Sequence, residues 1–253
     1  MYLWKTWHDS RTRVVVYILA ALSVGLLSGL DVVSWVNWHT WVLTYRPMLS
    51  RNNWDFYADL PFGLLRWQVI DYGKLAALLA GLSLGVSGVG REYGAGTMHF
   101  VLTRPGARRN FVFSDWITGL TAMVIAVGAL AYGVLPFLWF VHARSPGNVL
   151  IGLPGLWAMG AAIFGLASFT TLVAGSAAKG LVLSVAAVLT YFLLPTALDE
   201  WWHVDTLIKA QDWTLQILSV DSYHFHWSVT AFWLAAAASF LGASLFWINF
   251  REV

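Results

Sequence analysis

Six uncharged apolar runs, each near the length that crosses a hydrocarbon core, organise this chain. A helix needs roughly 20 apolar residues for a core about 30 Å thick. The runs cover about Val14 to Leu30, about Leu75 to Gly90, and Ile117 to Val141, then stretches within Val149–Ala174, Leu181–Leu198 and Trp227–Phe250. The second and fifth are short and begin inside neighbouring polar segments. Pro136 and Pro195 fall near the outer ends of their runs and are expected to bend or end those helices. The pattern predicts an all-α integral membrane fold with six transmembrane helices.

The polar stretches between the runs carry their own periodicity. From Leu3 to Arg13, Leu3, Trp4 and Trp7 share one side, while Lys5, Asp9 and Arg13 form a stripe at i, i+4 spacing on the other. This predicts an N-terminal interfacial helix over 3–13, lying flat in the headgroup layer. The basic lead and apolar run also permit a cleaved signal peptide. The length of the run, with no clear A-x-A site after it, favours a retained helix. Two long segments, 31–72 and 199–226, are rich in Trp and Tyr. They are expected to form short outer helices against the membrane surface, the latter between helices 5 and 6.

Basic residues orient the chain. With the amino terminus inside, nine of the fifteen Lys and Arg fall on the cytoplasmic side and six outside. The basic count sets topology, so both ends are expected in the cytoplasm, in a multi-pass protein of the cell membrane. Residues Arg104, Arg108 and Arg109, packed tightly between two spans, add weight.

Composition agrees. The chain of 253 residues is 58% hydrophobic and 11% charged, against about a quarter charged in soluble domains, so no separate soluble domain is expected. A net charge of +2 is too small for a nucleic-acid binder. Cysteine is absent, which excludes disulfides, thiolate metal sites and cysteine nucleophiles. Sixteen tryptophans suit membrane–water boundaries, where one edge of the indole stays wet.

The most informative stretch is the loop 91–110 between the second and third spans. Gly90, Gly94 and Gly96 loosen the end of the second span. Thr97 is placed to cap a fresh helix over Met98 to Thr103, ending near Arg104 because Pro105 disfavours helical geometry before it. Such a helix would expose Met98, Phe100 and Leu102 for docking into a groove on a cytoplasmic partner. Arg108 and Arg109 then lead into the third span, where they can meet anionic lipid or an acidic surface.

This loop resembles that of the permeases of ATP-binding-cassette transporters of the type-2 exporter family. Members typically show Glu at the end of the second span, then Gly-Thr, a Leu-rich stretch, and Pro followed by Arg. Here those positions are Glu92, Gly96-Thr97, Val101-Leu102, Pro105 and Arg108. Where the family often has Lys or Arg at the start of the third span, this chain has Asp115-Trp116. The resemblance extends in layout over nearly the whole chain, and implies a single permease domain over 1–253 with a cytoplasmic coupling helix between helices 2 and 3. It implies coupling residues Glu92, Gly96, Thr97, Leu102, Pro105 and Arg108. It further implies a second permease copy or paralogue, cytoplasmic ATP-binding subunits, and a substrate path near the second and fifth helices. No G-x-x-x-x-G-K-[ST] phosphate loop occurs in the sequence, so ATP and Mg are expected on a partner chain and no enzyme activity on this one. The alternatives are a membrane scaffold or assembly protein with no transport path, and an intramembrane hydrolase.

Other constellations carry less. Gly81-Leu-Ser-Leu-Gly85 is a small-xxx-small pattern, expected to pack inside the molecule. Gly85-Val-Ser87-Gly88 matches the G-x-S-G of rhomboid intramembrane proteases, but no histidine lies deep within a span to take the serine proton. His224, His226 and His203 read as solvated loop histidines rather than a metal site. Asp71 and Lys74, one turn apart, are expected to pair. The third to sixth spans show no charge near their centres, which argues against an ion-coupled carrier.

Overall fold

The computed structural model describes residues 2–45, 54–98, 103, 105–140, 151–202, 205–217 and 226–250. Among these the chain is helical apart from short turns, with seven helices: α1 (Tyr2–Tyr45), α2 (Trp54–Gly94), α3 (Pro105–Phe140), α4 (Leu153–Ala174), α5 (Ala177–Trp202), α6 (Asp205–Leu215) and α7 (Trp227–Phe250). All except α6 contain a segment long and apolar enough to cross a membrane, six in number. These are the six runs read from the sequence.

The flanking segments differ from expectation. Residues 3–13 are not a separate interfacial helix: they form the first turns of α1, which runs unbroken into the first span. No proline interrupts α1, which is described as far as Tyr45. At about 1.5 Å per residue α1 is roughly 66 Å long, twice a membrane core, so it must project beyond the bilayer. The segment 31–72 is likewise not a set of short helices, because α1 continues to Tyr45 and α2 already begins at Trp54. Nor do Pro136 and Pro195 end their helices, which run on to Phe140 and Trp202.

A short helix does occur between the last two spans. The Thr214 hydroxyl on α6 hydrogen-bonds the Tyr191 hydroxyl on α5. Trp233 on α7 donates its indole N–H to the Thr214 carbonyl at 2.9 Å. One residue thus latches α6 to both neighbouring spans. At the start of α2's span, Lys74 donates to Asp71 at 2.9 Å, the pairing their spacing predicts.

The core is built around α4, which packs against α2, α3, α5 and α7. In its most apolar stretch 72% of residues are buried, against 11% in α5, so α5 is peripheral and most of its leucines and valines are exposed. The cause is side-chain size. Buried α4 positions include Gly155, Ala158, Gly160, Ala161, Ala162, Gly165 and Ala167, which let neighbouring backbones approach closely. The α2–α4 crossing uses the predicted glycine pair: a Cβ at Gly81 would lie 2.8 Å from the Gly160 carbonyl oxygen, and one at Gly85 2.5 Å from that of Phe164. A second glycine crossing, Gly25 against Gly133, joins α1 to α3.

Candidate functional site

The end of the bundle where α2 hands over towards α3, the basal end below, concentrates the polar chemistry. α2 closes there in a Schellman turn. Gly96 adopts φ +68°, its N–H donates to the Tyr93 carbonyl at 3.1 Å, and the Thr97 N–H donates to the Glu92 carbonyl at 3.1 Å. The Thr97 hydroxyl then donates to the Glu92 carboxylate and, at 3.3 Å, to the Glu92 carbonyl. Glu92 is buried, with Arg91 Nη2 standing 3.8 Å from its other oxygen. Glu92, Gly96 and Thr97, singled out from the sequence, are therefore brought together in one closed clasp.

The clasp corrects part of the sequence reading. The Thr97 hydroxyl donates backwards and fastens the end of α2; the residues it was expected to cap lie mostly outside the described ones. A threonine hydroxyl can donate or accept, and here the buried carboxylate supplies the stronger, charge-assisted acceptor. Met98, expected to be exposed, is 3% exposed and belongs to the main hydrophobic core. Phe100, Val101, Leu102 and Arg104 lie outside the described residues, and with them most of the expected coupling helix. Pro105 is the first residue of α3, a position where its missing N–H costs nothing. Arg108 is half-buried, and its guanidinium donates to the Ile248 carbonyl at 3.5 Å, near the last turn of α7. A cation there favours the negative end of that helix.

At Gly96 a Cβ would meet nothing within 4 Å, so a substitution there tests backbone conformation alone. Gly96→Ala should destabilise the turn by about 1–2 kcal/mol, the cost of a left-handed L-residue. Gly96→Asn should cost less, and Gly94→Ala, which has equal space and an ordinary φ, little or nothing. Thermal unfolding of the three variants in one detergent checks the order.

The basal end is stitched to the rest of the bundle. The Tyr93 hydroxyl donates to the Leu172 carbonyl at 3.1 Å, joining α2 to the end of α4. α4 stops at Gly175, whose φ of +68° reverses the chain, and its N–H donates to the Thr171 carbonyl at 3.0 Å. Ser176 accepts from the Lys179 N–H at 3.2 Å and caps α5. The α4–α5 hairpin abuts α2, where a Cβ at Gly90 would lie 2.6 Å from the Ala177 Cβ.

Asp115 was missed by the sequence reading, which set it outside the third span. The structure places it three turns inside α3, 6% exposed, its carboxylate pressed against Gly88 of α2. Its Oδ2 has no hydrogen-bond partner among the described residues. With Arg13, Ser87, Arg91 and Thr118 it lines a cavity of about 20 Å³, room for about one water. The readable signal was a lone acid in an otherwise apolar stretch beginning at Phe111. Ser87, in the G-x-S-G sequence, donates to the Leu84 carbonyl of its own helix at 2.9 Å, an ordinary arrangement for a serine in a membrane helix. His203 and His224 lie outside the described residues.

No family model and no curated protein matches the chain. Fold and site together define a class: an all-helical, multi-pass membrane protein with a buried polar clasp closing its second span.

Proposed function

We propose that this chain is the permease subunit of an ATP-binding-cassette exporter, forming the substrate path and coupling it to separate cytoplasmic ATPase subunits. The observation that carries the reading is the clasp. Three of the residues implied in coupling, Glu92, Gly96 and Thr97, form one hydrogen-bonded turn at the end of the helix that bears on the core. A force on that turn has a stiff route inward, through Tyr93 to α4 and through Gly90 to the start of α5. The chain would be a bistable conduit whose two conformations bind the ATPase differently. Its lipid-facing spans, α5 above all, leave room for a second permease copy or paralogue. The basal end is then cytoplasmic, as the balance of basic residues expects.

The absence of cysteine makes a direct test simple. Thr103→Cys, at an exposed position in the loop, should react with a membrane-impermeant maleimide only in inverted vesicles. Labelling from the outside of intact cells would put the loop beyond any cytoplasmic ATPase and end the proposal. In parallel, an ATPase should co-purify with the chain in mild detergent, with its activity raised by the association.

A further inference from the structure

A cleft of about 520 Å³ opens at the basal end between α1, α2 and α5, within the roughly 300–1,000 Å³ of small-molecule sites. Its polar lining comes from Arg13 on α1 and from Ser83, Ser87 and Arg91 on α2. Its apolar lining includes Leu82 on α2 and Leu181 on α5. These groups are ordered by depth. Arg91 stands at the basal end of α2, and Leu79, also in the lining, lies twelve residues earlier, about 18 Å deeper. That is somewhat more than half of a hydrocarbon core about 30 Å thick. On α5 the wall likewise runs from Ala177 at the helix start to Val185 two turns further in.

Two guanidiniums at the mouth and aliphatic walls below form the complement of an anionic amphiphile. We propose that this cleft holds one anionic phospholipid, its phosphate between Arg13 and Arg91 and one acyl chain against α2 and α5. The charge balance favours it: among the described residues no carboxylate lines the cleft. Glu92 is engaged by Thr97 in the clasp, and Asp115 lines a smaller adjoining cavity that Arg13 and Arg91 also line, so one buried acid faces the two guanidiniums from the α3 side. Arg91 approaches Glu92 at 3.8 Å, and a guanidinium with five donors serves more than one acceptor. Ser83 and Ser87 line the cleft below the arginines, at glycerol depth, with Ser83 hydrogen-bonded to the Tyr17 hydroxyl and Ser87 donating to the Leu84 carbonyl, so each hydroxyl already has a partner. Basic side chains at the membrane surface attract anionic lipid in their own right, and the walls of three helices turn that attraction into a site. The lipid is a resident one that tethers α5 to the α1–α2 pair, so the inference stands apart from the transport reading.

The test uses the full chain, purified in a neutral detergent and titrated with phosphatidylglycerol or with phosphatidylcholine of the same acyl chains. Native mass spectrometry and thermal unfolding are the readouts. Phosphatidylglycerol should be retained as a single adduct and raise the unfolding temperature, and phosphatidylcholine should do neither. Arg13→Gln should weaken retention about fivefold, and combined with Arg91→Gln by tenfold or more. Leu181→Trp, which fills the wall without touching charge, should also weaken it. Lys179→Gln, exposed at the same end but outside the cleft lining, should leave it unchanged. Should the double variant fold poorly because Arg91 adjoins the clasp, Arg13→Gln and Leu181→Trp still decide the matter. Equal retention of the two lipids, an equal loss in Lys179→Gln, or full stabilisation by inorganic phosphate alone would each overturn the proposal.

Discussion

Gly85→Leu should fail to yield a folded, monodisperse protein, whereas Gly128→Leu, the same change in another spanning helix, should behave like the parent. The difference lies in what a side chain would meet. At Gly85 the first carbon already falls 2.5 Å from the Phe164 carbonyl oxygen and 2.7 Å from the Ala167 Cβ. Neither is the movable end of a long side chain, so α2 and α4 must separate. At Gly128 nothing lies within 4 Å, and the new side chain enters lipid. Overpacking a core costs about 1–3 kcal/mol where neighbours can adjust, and more where backbones must move. Here the displaced element is α4, against which α2, α3, α5 and α7 all pack. Size-exclusion profiles of tagged variants, with melting curves for whatever is recovered, check the contrast. Equal profiles for the two leucine variants would mean that the α2–α4 crossing does not hold the bundle together.

That crossing also shows what the sequence made legible and what it did not. The six spans were readable because a hydrocarbon core demands length and apolarity, and both are local properties. The order of burial was less so, since α4 and α5 are both uniformly apolar. The distinguishing signal was side-chain size: glycine and alanine concentrate in α4, while α5 carries leucines and valines that end up mostly exposed. Segment boundaries failed where amphipathic character was read as a change of direction. Leu3 to Arg13 has the stripe of an interfacial helix, yet the same stripe is compatible with the first turns of a long straight one. Nothing local distinguishes them, because both are helices and only their tilt to the membrane differs.

The site was legible in composition but not in polarity of bonding. Glu92, Gly96 and Thr97 stand out as a spacing, and the structure gathers them. That Thr97 also reaches back depends on a buried carboxylate whose burial is a tertiary fact. Asp115 shows the same limit. Its environment is set by Gly88 on another helix, and by α3 beginning ten residues earlier, at Pro105.

The clasp yields the sharpest functional expectation. In a reconstituted complex, Glu92→Ala should reduce ATPase stimulation and transport about tenfold or more, with insertion into the membrane intact. Losses of that size correspond to the roughly 1–3 kcal/mol typical of coupling free energies between sites. Alanine removes the acceptor of the Thr97 hydroxyl and the carboxylate beside Arg91 together, so the turn keeps its backbone bonds but loses its side-chain lock. Glu92→Gln retains an acceptor for Thr97 and should recover part of the stimulation. Thr97→Val, which deletes the donor from the other side, should resemble Glu92→Ala, and the double variant should be little worse than either single one. A merely structural role predicts a different set: losses following the fall in melting temperature, additive in the double variant and not restored by glutamine. If Glu92→Ala stimulates its ATPase as well as the parent at matched expression, the turn is not the lever, and force must enter the bundle elsewhere.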